Sequence, residues 1–411
     1  MSDCDHNILL CNKSSEPVSI GKNTHICQVR NVVEVPTSPC YSESPVVVPQ
    51  STTSTPSTSS LYSDAVLVNP DGLVSSSVAR KVTNINRMYE QVFCADLLLY
   101  NGKSGKVECH INMETVKPPQ RKGRLPSYDR KKLILLQEYF DKLEDQGVLR
   151  KPEEIGVVAE YLNMSFLVEK PGSGDYCFVT AFLEIGEYSK PQPSLMPNVE
   201  ETLRTIGRWK FVIKTDLKQA YFQIPLSKDS KRYAGTVSPF KGVRVYDRAA
   251  MGLPGAETAL EELMNRVAGD LIMEGVAAKV ADDCYCGGKT IESALNAYER
   301  LLAALAHNNL GLNAKKTVRF PKRVMILGWI WQMGSLSASP HRIAALSAVK
   351  PPSTVKALRS LIGAYKYIGR VIRWHSNYIN PLDQMVAGKD TREQIKWTEE
   401  SLDHFNRFRS H

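Results

Sequence analysis

The sequence predicts an α+β fold in which a mixed β-sheet is backed by helices. Segments with helical spacing of apolar residues alternate with segments of strand character from about residue 81 onwards. The chain has 411 residues with 43% hydrophobic and 23% charged residues, values typical of a globular protein of two or three domains. No apolar run reaches the length of about 18 residues that a membrane span needs, so we expect no membrane partner.

The individual elements follow from the local pattern of apolar residues. Apolar residues at helical spacing predict helices over residues 128–146, 257–269, 293–308 and 354–372. Apolar or alternating runs predict strands over residues 165–170, 209–217, 276–281 and 284–286, and a strand pair over 324–334. Gly147 follows the first helix at the position where a C-terminal cap is expected.

The amino-terminal part differs in composition from the rest of the chain. Residues 1–35 alternate apolar and polar groups around turn residues, which predicts a short β segment. In residues 36–60, 18 of 25 residues are Ser, Thr or Pro, and such a segment cannot bury enough apolar surface to order itself. We therefore expect a linker over residues 36–80, followed by a folded region.

Positive charge is concentrated in the carboxy-terminal half. The chain has a net charge of +9, and residues 300–382 contain thirteen Lys and Arg residues but no Asp or Glu. Such a stretch favours a face that binds the phosphates of a nucleic acid. The alternative is a chance bias on a helical subdomain, and charge alone does not separate the two.

The nine cysteines do not form a metal-binding or disulfide pattern. No Cys-x-x-Cys pair occurs, which argues against a zinc ribbon. Cys284 and Cys286 flank Tyr285 in a predicted strand, so both thiols should point to the same face. We expect free thiols in a reducing, cytoplasmic environment.

Three carboxylates are the candidates for chemistry. Asp282 and Asp283 are adjacent in “KVADDCYCGG” (279–288), and Asp216 ends the strand predicted at 209–217. If the two strands are neighbours, the carboxylates converge at one sheet edge, where two Mg²⁺ ions, or Mn²⁺ as a substitute, can be held. The alternative is that Asp282 and Asp283 merely occupy a hairpin turn, and on the pair alone the turn is the favoured interpretation.

Several longer segments resemble a known family when they are taken in order. They are “FVIKTDLKQAYFQIPLSKDSKRYAGT” (211–236), “AAMGLPGAETALEELMNRV” (249–267), “VADDCYCGG” (280–288), “LGLNAKKTVRFPKRVMILGWI” (310–330) and the tail that begins “HRIAALSAVKPP” at 341. Together they resemble the reverse transcriptases of gypsy-type LTR retrotransposon and retroviral-like pol polyproteins. The resemblance extends over roughly residues 81–405.

The resemblance implies a right-hand polymerase with fingers, palm and thumb. Residues 81–336 would form the fingers and palm, and residues 337–411 the thumb and the start of the connection, with no RNase H domain. Residues 1–35 would correspond to the end of a protease-side region. The Asp-Thr/Ser-Gly triplet of aspartic proteases is absent from the sequence, so no protease activity is expected.

The same resemblance assigns roles to residues by position. Asp216, Asp282 and Asp283 match the catalytic, metal-binding aspartates. Tyr221 matches the aromatic residue that excludes a ribose 2′-hydroxyl, although it is also compatible with a core position. Residues that match nucleotide-binding positions are Gly252, Leu253, Lys316 and Lys170. Residues that match the hairpin that holds the primer end are Leu327, Gly328 and Trp329.

The implied activity is RNA-directed DNA polymerisation with a template–primer and deoxynucleoside triphosphates as partners. Some positions depart from the family pattern: Val280 replaces an aromatic residue, Glu257 a proline, and Cys177 an arginine that contacts the triphosphate. A cysteine cannot make the bidentate phosphate contact of a guanidinium. The alternative is therefore a catalytically impaired, element-derived remnant that only binds nucleic acid. The oligomeric state is not indicated.

Overall fold

The computed structural model describes residues 61–119, 123–172, 174–193, 198–280, 282–369 and 375–410. The predicted β segment (1–35) and most of the predicted linker lie outside these residues. The prediction that the linker extends to residue 80 is wrong. Residues 67–68 form a strand that pairs with residues 318–319, and a helix begins at Ser76. Val66 and Val74 are buried in the core, so apolar side chains anchor this stretch to the folded region.

Helices and strands alternate along the described residues, as the sequence predicts. The helices are α1 Ser76–Met88, α2 Arg130–Asp145, α3 Leu183–Glu187, α4 Val199–Gly207, α5 Lys228–Lys231, α6 Ala256–Met273, α7 Ile291–His307, α8 Pro340–Ser347, α9 Val355–Gly369, α10 His375–Val386 and α11 Glu399–Ser410. The strands are β1 Leu67–Val68, β2 Leu149–Arg150, β3 Leu162–Asn163, β4 Ser165–Glu169, β5 Tyr176–Thr180, β6 Phe211–Asp216, β7 Gly235–Ser238, β8 Gly242–Tyr246, β9 Ala277–Val280, β10 Asp283–Gly288, β11 Val318–Arg319, β12 Arg323–Ile326, β13 Trp329–Gln332 and β14 Ser335–Ala338.

A five-stranded mixed sheet in the order β1-β11-β6-β10-β9 forms the centre of the fold. β6 pairs with β10 in antiparallel register, and β10 forms a hairpin with β9. Side chains alternate between the two faces. Ile213, Cys284 and Cys286 therefore face the core that helices α6 and α7 cover, whereas Val212 and Tyr285 face a second core. The prediction that both thiols share one face is confirmed.

The second core lies between the central sheet and the three-stranded sheet β12-β13-β14. Trp329 and Trp331 of β13 pack in it with Val212 and Tyr285. Gly287 at the end of β10 is required here, because a Cβ atom would lie 2.3 Å from the indole ring of Trp209. Trp329 of the β12–β13 hairpin shares this core with Val280, which is two residues before Asp282.

The remaining strands form two further sheets, and the last helices share a core of their own. One is a four-stranded sheet in the order β2-β8-β7-β3, and the other is the two-stranded sheet β4-β5. Strands β2 to β5 precede β6 in the chain, and β7 and β8 lie between β6 and β9. Helices α9, α10 and α11 share a third apolar core that includes Leu358, Leu382 and Phe405. None of the helices in the described ranges is long and apolar enough to cross a membrane.

The basic stretch 300–382 does not form one continuous charged face. Arg319 is completely buried, and its guanidinium lies over the rings of Phe93 and Tyr298 with no hydrogen-bond partner among the described residues. Burial lowers its pKa well below the ordinary value. Arg300 forms a two-contact ion pair with Glu274. The predicted phosphate-binding face is therefore limited to side chains that remain exposed, such as Lys315, Lys316, Lys322 and Arg323, and their role stays a prediction.

Candidate active site

The three predicted aspartates meet at the end of the β6–β10 strand pair. Asp283 lies directly opposite Asp216 in the register, and the backbone N–H of Leu217 donates to the carbonyl oxygen of Asp282 at 3.1 Å. Asp282 lies in the tight β9–β10 turn and is exposed, whereas Asp283 is the first residue of β10. The expected convergence at one sheet edge is thus present in the backbone, and the turn interpretation applies to Asp282 alone.

Asp216 is the least exposed to solvent of the three aspartates. It is 7% exposed, and its pKa is raised, first by burial and further by the charges of Asp282 and Asp283. The Lys316 ammonium, 3.3 Å from Oδ1 of Asp216, acts in the opposite direction. A nearby cation stabilises the ionised form of a buried carboxylate that is surrounded by like charges, so this arrangement favours the binding of a cation.

Asp283 is held by two residues that the sequence motifs do not identify. Lys214 Nζ lies 2.7 Å from Oδ2 of Asp283, and the Tyr285 hydroxyl donates to the same oxygen at 3.0 Å. Strand alternation could have revealed this, because Lys214 is two residues before Asp216 and shares its face. No group of three His, Cys, Asp or Glu side chains within the described ranges is arranged to hold a metal ion.

The donors at this edge nevertheless suit a divalent cation. Asp216 supplies carboxylate oxygens from the end of β6 and Asp282 from the adjoining turn, and Mg²⁺ prefers one or two such ligands together with substrate phosphates. Within the described residues, Asp282 has no side-chain hydrogen bond or ion pair, so its oxygens are available. The chemistry of the residues therefore fits the group that the sequence predicts.

A cleft beside the aspartates brings Tyr221 and Gly252 together. Tyr221 stands in a short 3-10 helix, Ala220–Gln223, directly after β6, and lines the cleft with Gly252, Leu253 and Glu257. The pKa of Tyr221 is raised, chiefly by burial and next by the charge of Glu257. Tyr221 lines the cleft, and its side chain also packs against the main hydrophobic core, so its position is compatible with both the predicted role and a core position.

The loop that carries Tyr221 is fixed by a buried glutamine. Gln223 is 1% exposed, and its amide donates to the carbonyl oxygens of Lys218 and Gly311 while it accepts from the N–H of Gly311. Gln219 has a positive φ of 48°, which turns the chain sharply out of β6. These contacts fix the backbone that leads from β6 to Tyr221.

Lys170 is separate from this arrangement. It follows β4 at the tip of the β4–β5 hairpin, and its N–H donates to the carbonyl oxygen of Asp175. Cys177 lies in β5 opposite Val168, with its side chain exposed. No hydrogen bond or ion pair in the described part of the chain links Lys170 to the aspartates, so its nucleotide role stays a prediction.

Leu327, Gly328 and Trp329 form the tip of the β12–β13 hairpin. Leu327 and Gly328 have positive φ angles of 48° and 79°, the pattern of a tight two-residue hairpin turn. The Tyr367 hydroxyl of α9 donates to the carbonyl oxygen of Leu327 at 2.7 Å, and the rings of Tyr367 and Trp329 are 6.0 Å apart. The turn is thus fixed between the central sheet and α9.

A buried ion pair joins α6 to β9, the strand that leads into the turn with Asp282. Lys279 of β9 contacts Glu261 of α6, and each side chain is 3% exposed. Lys279 is three residues before Asp282, so this contact ties the aspartate turn to the helix beneath it. The sequence alone does not predict this pair, because Lys279 and Glu261 are 18 residues apart and meet only when β9 packs against α6.

Comparison with known families supports the interpretation of the motifs. A family model described as reverse transcriptase (RNA-dependent DNA polymerase) matches residues 179–331, a region that contains Asp216, Tyr221, Gly252, Asp282 and Asp283. A Pol polyprotein from transposon opus of Drosophila melanogaster is 23% identical over 67% of this chain and 28% of that protein. The Pol polyprotein from transposon gypsy, also from Drosophila melanogaster, is 22% identical over 56% of this chain and 22% of its own length.

Solved structures show the same fold. A foamy viral protease-reverse transcriptase in complex with double-stranded DNA matches with a TM-score of 0.66 and 18% identity over 82% of this chain and 57% of that chain. The same viral protein with an RNA/DNA hybrid matches with a TM-score of 0.61 and 18% identity, over 82% of this chain and 44% of that chain. The predicted right-hand polymerase fold and the resemblance to pol polyproteins of LTR retrotransposons are confirmed. The matched region is less than a third of each of these curated relatives.

Proposed function

We propose that this chain, whose residues 179–331 form a reverse transcriptase domain, is an RNA-directed DNA polymerase that extends a primer on an RNA or DNA template. The observation that carries the proposal is the pairing of Asp216 with Asp283 on β6 and β10, with Asp282 in the adjoining turn. The charge of Asp282 helps to raise the pKa of Tyr221, which supports a single site that includes the carboxylates and the Tyr221 cleft, within a fold of the matching class.

The proposed reaction is attack by the primer 3′-hydroxyl on the α-phosphate of a deoxynucleoside triphosphate. The bond between the α-phosphorus and the oxygen that bridges the α- and β-phosphates breaks, and pyrophosphate leaves. Reverse transcriptases generally use divalent metal ions, and we propose two Mg²⁺ ions here, with Mn²⁺ as a substitute. When bound, such ions lower the pKa of the hydroxyl and stabilise the charge of the leaving group.

The residues of the chain bind and orient the reactants. Asp216 and Asp282 would hold the cations, with Asp283 as their neighbour. Lys316, whose side chain is 63% exposed, can turn from Asp216 towards the triphosphate. Lys170 would contact the same phosphates from the β4–β5 hairpin. The Leu327–Trp329 turn would hold the primer end, and Trp329 shares a core with Val280 and Tyr285, which flank the aspartate pair in the sequence.

Primer extension tests this function directly. A purified chain should add deoxynucleotides to a DNA primer annealed to an RNA template, in the order that the template dictates, and EDTA should abolish the addition. The experiment measures product length on a denaturing gel, with and without Mg²⁺, beside a gel-shift assay of template–primer binding. Binding without extension at any nucleotide concentration would contradict the proposal and favour the impaired, nucleic-acid-binding remnant, with Cys177→Arg as the first variant to examine.

The role of Tyr221 gives a second measurement. If its ring blocks the 2′-hydroxyl, Tyr221→Ala should raise ribonucleotide incorporation relative to deoxyribonucleotide incorporation by at least about 10-fold, because the steric wall is lost. Single-nucleotide kcat/KM values for a matched ribo- and deoxyribonucleotide measure this ratio. Tyr221→Phe keeps the ring and should keep the ratio, so equal ratios in the alanine variant and the wild type would reject the role.

A further inference from the structure

The three aspartates of the site have different surroundings. Asp282 is exposed and makes no side-chain contact among the described residues, and Asp216 has one cation at 3.3 Å. Asp283 accepts two hydrogen bonds on one oxygen, from Lys214 at 2.7 Å and from Tyr285 at 3.0 Å. Asp283 is thus the one whose orientation is fixed by the protein itself.

The two lysines of the site also differ in how freely they move. The Lys316 side chain is 63% exposed and contacts Asp216 only at its tip, so it can leave without cost to packing. The Lys214 side chain is 25% exposed, and its ammonium lies 5.8 Å from the centre of the Tyr285 ring as well as on Asp283. Tyr285 is 1% exposed, which leaves Lys214 between a buried ring and the carboxylate.

Strand register explains why these groups meet. Asp283 pairs with Asp216, and Tyr285 pairs with Lys214, so all four side chains lie on one face of the β6–β10 pair. A lysine two residues before a metal-binding aspartate, on the same face, would repel a cation if it were unpaired. Asp283 neutralises it, and a charge-assisted hydrogen bond of this length is strong where solvent is partly excluded.

We propose that Lys214 and Tyr285 hold Asp283 out of direct metal contact, so that Asp216 and Asp282 alone supply the carboxylate ligands. This inference rests on the proposed polymerase function and refines its site. In this arrangement Asp283 serves as the counter-charge that masks Lys214, and Lys214 is a positioning residue.

A double-mutant cycle separates this arrangement from direct ligation by Asp283. Asp283→Asn should weaken Mn²⁺ binding about 10-fold, because an unpaired Lys214 ammonium then faces the site. The double variant Asp283→Asn/Lys214→Met removes that cation and should restore Mn²⁺ affinity to within about 3-fold of wild type. Lys214→Arg keeps the charge pair and should bind Mn²⁺ like the wild type.

The measurement is free Mn²⁺ by electron paramagnetic resonance, titrated into the full chain with template–primer bound. A double variant that binds Mn²⁺ as weakly as Asp283→Asn would overturn the proposal, because it would make Asp283 a direct ligand. A wild-type chain without Mn²⁺ affinity would overturn it as well. Primer extension by the same wild-type preparation tests the polymerase function independently, so failure of the function and failure of the Lys214 assignment give different patterns.

Discussion

Asp216→Asn should reduce primer extension at least about 1,000-fold, which is the largest effect on activity that we expect. The asparagine side chain has almost the same size but carries no charge. It replaces a carboxylate that is 7% exposed and lies opposite Asp283 across the strand pair. A neutral amide oxygen is a much weaker partner for a divalent cation than a carboxylate oxygen.

The measurement is single-nucleotide extension under saturating nucleotide and Mg²⁺. Asp270→Asn is the matched control, since it makes the same chemical change at an exposed position of α6 and should leave extension unchanged. The midpoint of thermal unfolding should not fall in Asp216→Asn, because burial already disfavours the charged form of Asp216. Extension at the wild-type rate by the asparagine variant would exclude Asp216 from the chemistry.

Lys279→Met should destabilise the fold by about 3–5 kcal/mol, the largest effect on stability that we expect. Lys279 and Glu261 are each 3% exposed and contact one another between β9 and α6. Methionine fills a similar volume but leaves the Glu261 carboxylate buried without a cation. Glu261→Gln in the same chain removes the orphaned charge and should recover most of the lost stability.

Urea unfolding followed by tryptophan fluorescence measures both variants. The matched control is Arg300→Met, which removes the pair between Arg300 and Glu274, whose side chains are 42% and 43% exposed. An exposed ion pair is screened by water and contributes little to stability, so Arg300→Met should leave the free energy of unfolding nearly unchanged. Equal losses in Lys279→Met and Arg300→Met would show that burial does not determine the value of the Lys279 pair.

The two effects are linked through the aspartate turn. Lys279 is three residues before Asp282, so loosening β9 from α6 would release the turn that carries a candidate metal ligand. The Lys279 variant should therefore lose extension activity at temperatures where most of the chain is still folded. The double variant with Glu261→Gln should regain both properties together.

Much of this protein follows from its sequence. Local periodicity predicts helices α2, α6, α7 and α9 and the principal strands within a few residues, since the spacing of apolar side chains depends on the near neighbours in the chain. The motifs around Asp216 and Asp282 predict the edge at which the aspartates meet. Composition predicts a linker over residues 36–80, but this prediction fails over residues 61–80, where Leu67 and Val68 pair with a distant strand.

The tertiary structure alone decided which charges meet. Lys214 and Asp283 are 69 residues apart in the chain, and Lys279 and Glu261 are 18 apart, so neither pair leaves a pattern in the local sequence. The long basic stretch resembles one binding surface, yet Arg319 within it is buried against two aromatic rings. Charge composition is a property of the chain, whereas desolvation and pairing depend on the elements that pack around each side chain.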